Sequence, residues 1–223
     1  MNVELLKAAL TKFAAGIVVM GLLLFLPAGT LRWWRGWLLM GILFVPMFVA
    51  GLVMMGKAPD LLRKRLDARE KEGKQRTVLA LSALMFVASF VVAGLGFRLG
   101  WPTLPAWASH LGAVTFLMAY ALYAEVLREN AFLSRTVEVQ EGQRVIDTGL
   151  YGIVRHPMYS ATLLLFLSMP VVLGSPFSFA IMLTYLPIIA KRIHNEESVL
   201  AKGLSGYRAY MGRVKWRLIP HVW

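Results

Sequence analysis

The sequence predicts an all-α, polytopic membrane protein with about six transmembrane helices, the last two forming a hairpin, plus short cytosolic helices. Hydrophobic residues make up 58% of the 223-residue chain, which is more than in a typical soluble domain. The mean hydropathy is +0.62. Only 16% of residues are charged, and these are clustered. The uncharged runs between the clusters are long enough to cross a hydrocarbon core, which takes roughly 20 helical residues.

Four uncharged runs each predict one crossing helix, and they cover residues 13–31, 36–56, 77–97 and 99–124. A fifth run, residues 157–190, is too long for one crossing. Proline ends or kinks a helix and glycine favours a turn, so the run is predicted to fold as two arms. The breaking residues are Pro170, Gly174, Ser175 and Pro176. Because each arm is short, a re-entrant hairpin that crosses incompletely is an alternative.

The distribution of basic residues predicts the orientation. The formal net charge is +12, and cytoplasmic loops of membrane proteins accumulate Lys and Arg. With six crossings and the N-terminus inside, only Arg32, Arg35 and Arg98 fall outside, which leaves 21 of the 24 Lys and Arg residues inside. Several tryptophans fall at the outer interface, as in an aromatic belt. The predicted localisation is therefore a multi-pass integral membrane protein with its basic loops in the cytoplasm.

Composition also limits the partners. The basic run of residues 57–76 carries acidic residues at helical spacings, which indicates a membrane-surface helix rather than a nucleic-acid site. The lipid bilayer is the expected partner, and nucleic acid is not. There is no cysteine, which excludes disulfides and thiolate metal sites in this chain. The four histidines show no short metal-ligand spacing, so we expect no metal centre.

The chain divides by chemistry into two regions of one integrated domain. Residues 1–127 are predicted to be a transmembrane scaffold of four helices. Within it, Gly94 and Gly96 are expected to allow close helix packing. Residues 128–223 form the predicted catalytic region. It comprises a surface connector over residues 128–146, the helical hairpin and a cytosolic C-terminal tail.

The segment before the hairpin carries donors suited to an anion. Pro157 suits the first turn of a helix, and that turn offers free backbone N–H groups and a positive dipole end. Arg155 and His156 add side-chain donors at the same place, and Tyr159 adds an aromatic face and a hydroxyl. These residues predict a socket for a carboxylate or a phosphate.

The polar cluster after the hairpin has the opposite character. Arg192 and Glu196 are four residues apart and can pair on one helix face, whereas Glu197 and His194 point elsewhere. Adjacent carboxylates at a membrane edge suit an ammonium or sulfonium group. A ligand that carries both a carboxylate and cationic centres would match the two clusters, and S-adenosylmethionine is such a ligand.

The second half of the chain resembles the isoprenylcysteine carboxyl methyltransferase family, which is related to the phospholipid methyltransferases. The order and spacing of the motifs agree with the family over roughly 75 residues. The matching motifs are Gly149-x-Tyr151, Arg155-His156-Pro157-x-Tyr159, Arg192-x-x-x-Glu196-Glu197-x-x-Leu200, Tyr207-x-x-Tyr210 and Arg217-x-Ile219-Pro220. It implies an integral membrane enzyme that holds S-adenosylmethionine at the cytoplasmic side and admits a lipid-linked acceptor from the bilayer. The variant of the motifs and the absence of cysteine favour a bacterial plasma membrane over the endoplasmic reticulum.

The resemblance also implies roles for individual residues. The cofactor-binding candidates are Tyr151, Arg155, His156, Pro157, Tyr159, Glu196 and Glu197. The catalytic candidates are Glu197, Arg192 and His194. The candidates for substrate contact or for locking the tail are Tyr207, Tyr210, Arg213 and Arg217. The chain has Leu150 where the family often has proline and Ala161 where it often has glycine, which bears more on the substrate than on the cofactor.

Charge decides what the reaction needs from the protein. A carboxylate acceptor is already ionised near neutral pH and needs no general base, so alignment and exclusion of water would suffice. An amine would have to lose a proton, which Glu197 or His194 could take. The sequence favours a carboxylate but leaves an amine or a thiol open. Two alternative functions are a sterol-reductase-like membrane enzyme that uses NADPH and a non-enzymatic carrier or scaffold.

Overall fold

The computed structural model describes residues 3–66, 73–130, 132 and 139–223, and within these every regular element is helical. The helices are α1 (Val3–Ala28), α2 (Trp34–Lys57), α3 (Pro59–Leu66), α4 (Gly73–Arg98), α5 (Ala106–Glu129), α6 (Pro157–Val172), α7 (Pro176–Met182), α8 (Tyr185–Gly203) and α9 (Tyr207–Arg213). A single 3₁₀ turn, Gly149–Gly152, precedes α6. The predicted all-α fold is confirmed for this part of the chain.

The helices confirm a polytopic membrane protein, with one change to the predicted count. Five helical segments are long and apolar enough to cross a membrane: α1, α2, residues 77–98 of α4, α5, and the run 176–203 formed by α7 and α8. The remaining arm, α6, has 16 residues. At 1.5 Å per residue it is about 24 Å long, shorter than a hydrocarbon core of roughly 30 Å.

Of the four residues predicted to break the hairpin, Gly174, Ser175 and Pro176 lie at the break, whereas Pro170 does not. That residue lies inside α6, and the helix continues to Val172. The chain turns at Gly174, whose φ of +68° favours glycine, and Pro176 starts α7. Pro170 lies in the last turn of α6 and removes one N–H donor from that helix.

Small residues bring the helices close together. The most extensive helix pair is α5 with α6, followed by α1 with α4 and α4 with α7. A Cβ built at Gly112 of α5 would lie 3.0 Å from the backbone nitrogen of Val172 in α6. A Cβ built at Gly94 of α4 would lie 2.7 Å from the carbonyl oxygen of Leu24 in α1. Both glycines therefore serve helix packing, which is the usual use of small residues between membrane helices.

Apolar side chains lie both in the interior of the bundle and on its outer surface. The interior is built from large side chains such as Leu24, Leu39 and Phe116, each fully buried. Equally apolar side chains are exposed along the same helices, and they include Val18, Leu26, Val45, Leu84 and Met118. A bundle that is apolar on both its core and its outer surface is typical of a membrane environment.

The polar groups of the predicted site lie at one end of the bundle, in the segment just before α6 and along α8. The opposite end consists of the turns at residues 29–33, 99–105 and 173–175, which we call the far face. Part of the predicted connector, residues 131 and 133–138, lies outside the described residues, as do residues 67–72 of the basic run. Residues 59–66 of that run form α3.

Candidate active site

Glu197 of α8 is the centre of a buried ionic cluster. Its carboxylate accepts a hydrogen bond from Nε of Arg155 at 2.7 Å and from Nε of Arg217 at 3.0 Å. Nε2 of His156 lies 3.2 Å from the same carboxylate. Arg155, His156 and Glu197 are each less than 10% exposed. A carboxylate this deeply buried needs such partners, because an unpaired charge would be costly to desolvate.

A second chain of contacts runs along the hairpin through the hydroxyl of Tyr159. Nε of Arg192 donates to that hydroxyl at 2.8 Å, and the hydroxyl donates to the carboxylate of Glu196. The ring of Tyr159 stacks on the ring of His156 at 5.7 Å between centroids. The predicted pair of Arg192 and Glu196 is therefore linked through an aromatic hydroxyl from the other arm.

The C-terminal tail closes over the segment that precedes α6. Nη1 of Arg155 donates to the carbonyl oxygens of Val214 at 2.7 Å and Lys215 at 2.9 Å. The backbone N–H groups of Arg155 and His156 donate to the carbonyl oxygens of Trp216 and Arg217, each at 2.9 Å. These bonds fix the orientation of Arg155, because its Nε and Nη1 are both committed within the protein. Among the described residues, its Nη2 has no hydrogen-bond partner.

A cleft opens between the connector, the start of α6, α8 and α9. Its walls combine aromatic, cationic and carboxylate side chains. They are Asn130, Phe132, Gln143, Arg144, Val145, Ile146, Tyr151, Arg155, His156, Met158, Tyr159, Arg192, Glu196, Leu200, Leu204, Tyr207 and Tyr210. We call this the cleft throughout.

Tyr207 brings an unsatisfied polar atom to the cleft. The side chain is 4% exposed, and within the described part of the chain its hydroxyl has no hydrogen-bond partner. Burial raises the pKa of Tyr207, and the nearby carboxylates of Glu197 and Glu196 raise it further. The hydroxyl therefore stays protonated, and leaving it unpaired costs about 1–3 kcal/mol. Its neighbour Tyr210, by contrast, donates to the carbonyl oxygen of Tyr151 at 2.7 Å.

The turn before α6 is held by a carboxylate from α5. Gly149 has φ +52°, and the N–H of Leu150 donates to Glu129 at 3.0 Å. Nδ2 of the adjacent Asn130 donates to the hydroxyl of Tyr151 at 3.0 Å. The end of α5 therefore fixes the path of the loop that presents Tyr151 to the cleft.

The structure brings most of the predicted site residues together. Those that line the cleft are Tyr151, Arg155, His156, Tyr159, Arg192, Glu196, Tyr207 and Tyr210. Glu197 and Arg217 lie in the ionic cluster, and Pro157 is the buried first residue of α6. Their roles in binding and catalysis stay predictions.

Two predicted residues lie elsewhere. His194 is exposed on α8, its Nδ1 is 2.7 Å from the carbonyl oxygen of Ala190, and its ring lies 5.9 Å from that of Trp223. Arg213 pairs with Asp147 on the surface, which joins α9 to the loop before α6.

Sequence reasoning missed the contribution of the connector to the cleft. Asn130, Gln143 and Arg144 line it, although the connector was interpreted only as a surface segment. Arg144 is exposed there and adds a positive charge to the wall. The signal that could have found these residues was their polar character, because Asn130, Gln143 and Arg144 lie in the connector that leads to the predicted socket.

Comparison with known proteins identifies the part of the chain that carries the cleft. The model of the isoprenylcysteine carboxyl methyltransferase family matches residues 111–202. Among curated proteins, the chain is 29% identical over 92 residues to Delta(14)-sterol reductase TM7SF2 of Mus musculus. It is 25% identical over 93 residues to Delta(14)-sterol reductase of Methylotuvimicrobium alcaliphilum. Each match covers 40% of this chain and 22% of the relative, so the chain spans about a fifth of the length of these relatives.

One solved structure is also similar. It is that of the eukaryotic intramembrane Ras methyltransferase ICMT, with a TM-score of 0.49 and 15% sequence identity over 100% of this chain and 87% of the other. The family match contains most of α5, all of α6 and α7, all but the last residue of α8, and the whole ionic cluster except Arg217. The similarity to the isoprenylcysteine carboxyl methyltransferase family is therefore located in residues 111–202, which are less than half of the chain.

Proposed function

We propose that the protein is a membrane methyltransferase that uses S-adenosylmethionine to methylate a membrane-partitioned, lipid-like or prenylated acceptor at a carboxylate. The observation that carries the proposal is that the family match at residues 111–202 falls on the helices whose side chains build the cleft. The cleft opens beside apolar helices, so an acceptor dissolved in the bilayer has a short path to it. The cytoplasmic side is proposed for the cleft because its flanking loops carry most of the basic residues.

The residues of the cleft fit S-adenosylmethionine on chemical grounds. The hydroxyl of Tyr207, which has no partner among the described residues, offers a donor, and Nη2 of Arg155, for which the described residues supply no acceptor, suits the ligand's carboxylate. The side chain of Glu196 is 23% exposed and suits a cationic centre. Tyr151, His156 and Tyr159 supply aromatic faces for the adenine. When bound, this cofactor would supply a methyl group activated by a sulfonium.

The ionic cluster positions these groups rather than moving protons. Both carboxylate oxygens of Glu197 are engaged, Oε1 with Arg155 and His156 and Oε2 with Arg217. Glu197 is therefore a positioning residue in this proposal. His194 lies outside the set of residues that line the cleft. With neither base candidate available, the arrangement favours an acceptor that is already an anion, because a carboxylate can attack without losing a proton.

Alignment and exclusion of water remain as the protein's contributions. The tail bonded to Arg155 and His156 covers one side of the cleft, and α9 is tied to the loop before α6 through Tyr210 and Arg213. A closed site holds the reacting groups in one geometry and strengthens its own electrostatic contacts.

The cofactor assignment is tested on Glu196. We expect Glu196→Gln to weaken binding of S-adenosylmethionine by about 10- to 100-fold, because a hydrogen bond to a charged group contributes roughly 1.5–3 kcal/mol. Isothermal titration calorimetry on detergent-purified protein measures the change. Glu125→Gln is the matched control, since Glu125 pairs with Arg128 on α5 outside the cleft. Unchanged affinity in Glu196→Gln would contradict the assignment.

The acceptor is tested by methyl transfer. We expect transfer of labelled methyl from S-adenosylmethionine to a prenylated cysteine with a free carboxylate and none to its carboxamide. Without the negative charge, the carboxamide is a poor nucleophile, and neither Glu197 nor His194 is placed to take its proton. Equal transfer to a prenylated amine would contradict the preference for a carboxylate.

A second candidate function is a nicotinamide-dependent membrane reductase, and the observation that favours it is the similarity to two sterol reductases. The two functions require different nucleotides. If the protein is a methyltransferase, S-adenosylhomocysteine should raise its thermal stability and NADPH should not. The reverse result would support the reductase, and stabilisation by neither would favour a carrier or scaffold.

A further inference from the structure

A second cavity, at the far face, lies at the opposite end of α6 from the cleft. Its volume is about 340 Å³. The walls are largely aromatic, with Trp33, Trp34, Phe97, Trp101 and Phe177 among the lining residues. The rings of Trp101 and Phe177 meet edge to face at 5.3 Å, so the walls from α7 and from the turn before α5 are in direct contact.

One cation lies in the wall of this cavity. Nη2 of Arg35 donates to the carbonyl oxygen of Leu104 at 2.6 Å. The guanidinium also packs against the turn at Gly174, where an added Cβ would lie 1.9 Å from Nη1. Nε of Arg35 is buried, and in the described part of the chain it has no acceptor. The guanidinium is therefore held in place while one of its donors is unsatisfied.

The three turns of the far face contain no carboxylate side chain. The chain has 12 Asp and Glu residues, and none lies within residues 5–59, 73–124 or 148–195. These ranges include all three turns of the far face. Arg32, Arg35 and Arg98 also lie in them, so the far face carries positive charge that no carboxylate of these turns offsets. A half-buried guanidinium whose Nε is buried without an acceptor among the described residues favours an anion from outside the chain.

We propose that this cavity binds the headgroup of a phospholipid, with the phosphodiester on Arg35 and the glycerol region against the aromatic walls. A guanidinium recognises phosphate oxygens through paired N–H donors, and Nε of Arg35, which has no acceptor in the described part of the chain, can supply one of them. Tryptophans at the ends of membrane helices lie at headgroup depth, which places the cavity where phospholipid phosphates are. A lipid is favoured over a free phosphate ester because most of the cavity wall is apolar and would be buried by the glycerol and the first acyl carbons.

The experiment is a thermal-unfolding series on the full-length protein in detergent, with three added compounds. Dioctanoyl phosphatidylglycerol carries both the phosphodiester and the acyl chains, dioctanoylglycerol lacks the phosphate, and glycerol 3-phosphate lacks the chains. Only the first should raise the melting temperature, by about 5 °C near saturation. An equal rise with dioctanoylglycerol would overturn the phosphate contact, and an equal rise with glycerol 3-phosphate would overturn the lipid assignment.

Variants locate the effect. Arg35→Gln should abolish the rise caused by phosphatidylglycerol. Arg32→Gln removes the same charge from an exposed position three residues away and should keep the rise. Arg35→Lys keeps the charge without Nε, so it should show less than half of the rise, and it serves if Arg35→Gln does not fold. A full rise in Arg35→Lys, or equal rises in Arg35→Gln and Arg32→Gln, would overturn the proposal.

Discussion

At the scale of single residues, Gly149 helps to set the path of the loop that carries Tyr151 to the cleft. A Cβ built there would lie 1.5 Å from Oε1 of Glu129, the carboxylate that accepts from Leu150. An alanine at this position would both strain a backbone with φ +52° and displace that carboxylate. The loop that carries Tyr151 would shift with it.

The prediction compares Gly149→Ala with Gly142→Ala. Gly142 has φ +69° and nothing within 4 Å of an added Cβ, so it measures backbone strain alone, about 1–2 kcal/mol. Gly149→Ala adds a steric conflict of about 1–3 kcal/mol. We expect melting temperatures in detergent to fall by roughly 2–8 °C for Gly142→Ala and by clearly more for Gly149→Ala. Equal losses would show that the contact with Glu129 does not matter.

The sequence predicted which residues would meet but not how they would pair. Motif spacing placed Arg155, His156 and the two glutamates at one site because the arms of a hairpin return to the same end. The pairing of Glu197 with Arg217 depends on the path of the tail, for which the sequence offered no periodicity. The link from Arg192 to Glu196 through Tyr159 depends on the relative rotation of two helices, which hydropathy does not report.

At the scale of helices, uncharged runs located the crossings but not the helix ends. The run 13–31 became α1, Val3–Ala28, which begins ten residues earlier and includes Lys7 and Lys12. Charged residues in the sequence indicate where the hydrocarbon core of the bilayer ends. A helix can continue past that point into the interface, because its backbone hydrogen bonds do not depend on the polarity of its side chains. The break between α7 and α8 at residues 183–184 has neither glycine nor proline, and Pro187, in the first turn of α8, is the nearest sequence signal of a helix start there.

Close packing of α1 on α4 gives the prediction at this scale. Gly94→Ala places a Cβ 2.7 Å from a backbone carbonyl, which cannot move without shifting α1. Gly41→Ala, in α2, meets nothing within 4 Å and gains helix propensity of roughly 1 kcal/mol. We therefore expect the melting temperature to fall for Gly94→Ala and to stay level or rise for Gly41→Ala. A rise in both would mean that the two helices are not in contact there.

At the scale of the whole molecule, charge asymmetry predicts the orientation. The chain has no cysteine, so single cysteines can be labelled without background. Arg32 at the far face and Lys202 at the end of α8 are both exposed. In intact cells, we expect a membrane-impermeant maleimide to label Arg32→Cys at once and Lys202→Cys only after permeabilisation. The opposite pattern would reverse the proposed orientation, and labelling of both from one side would contradict the placement of the cleft and the far face at opposite ends of the bundle.

The ionic cluster around Glu197 also sets an order for biosynthesis. Its members come from residues 155–156, 197 and 217, so its contacts span 20 to 42 positions of the chain. The earlier helices can enter the bilayer while Glu197 still lacks its last partner. The carboxylate gains that partner only once Arg217 has emerged from the ribosome, and a nascent chain stalled before that point would hold an incompletely neutralised acid beside the lipid.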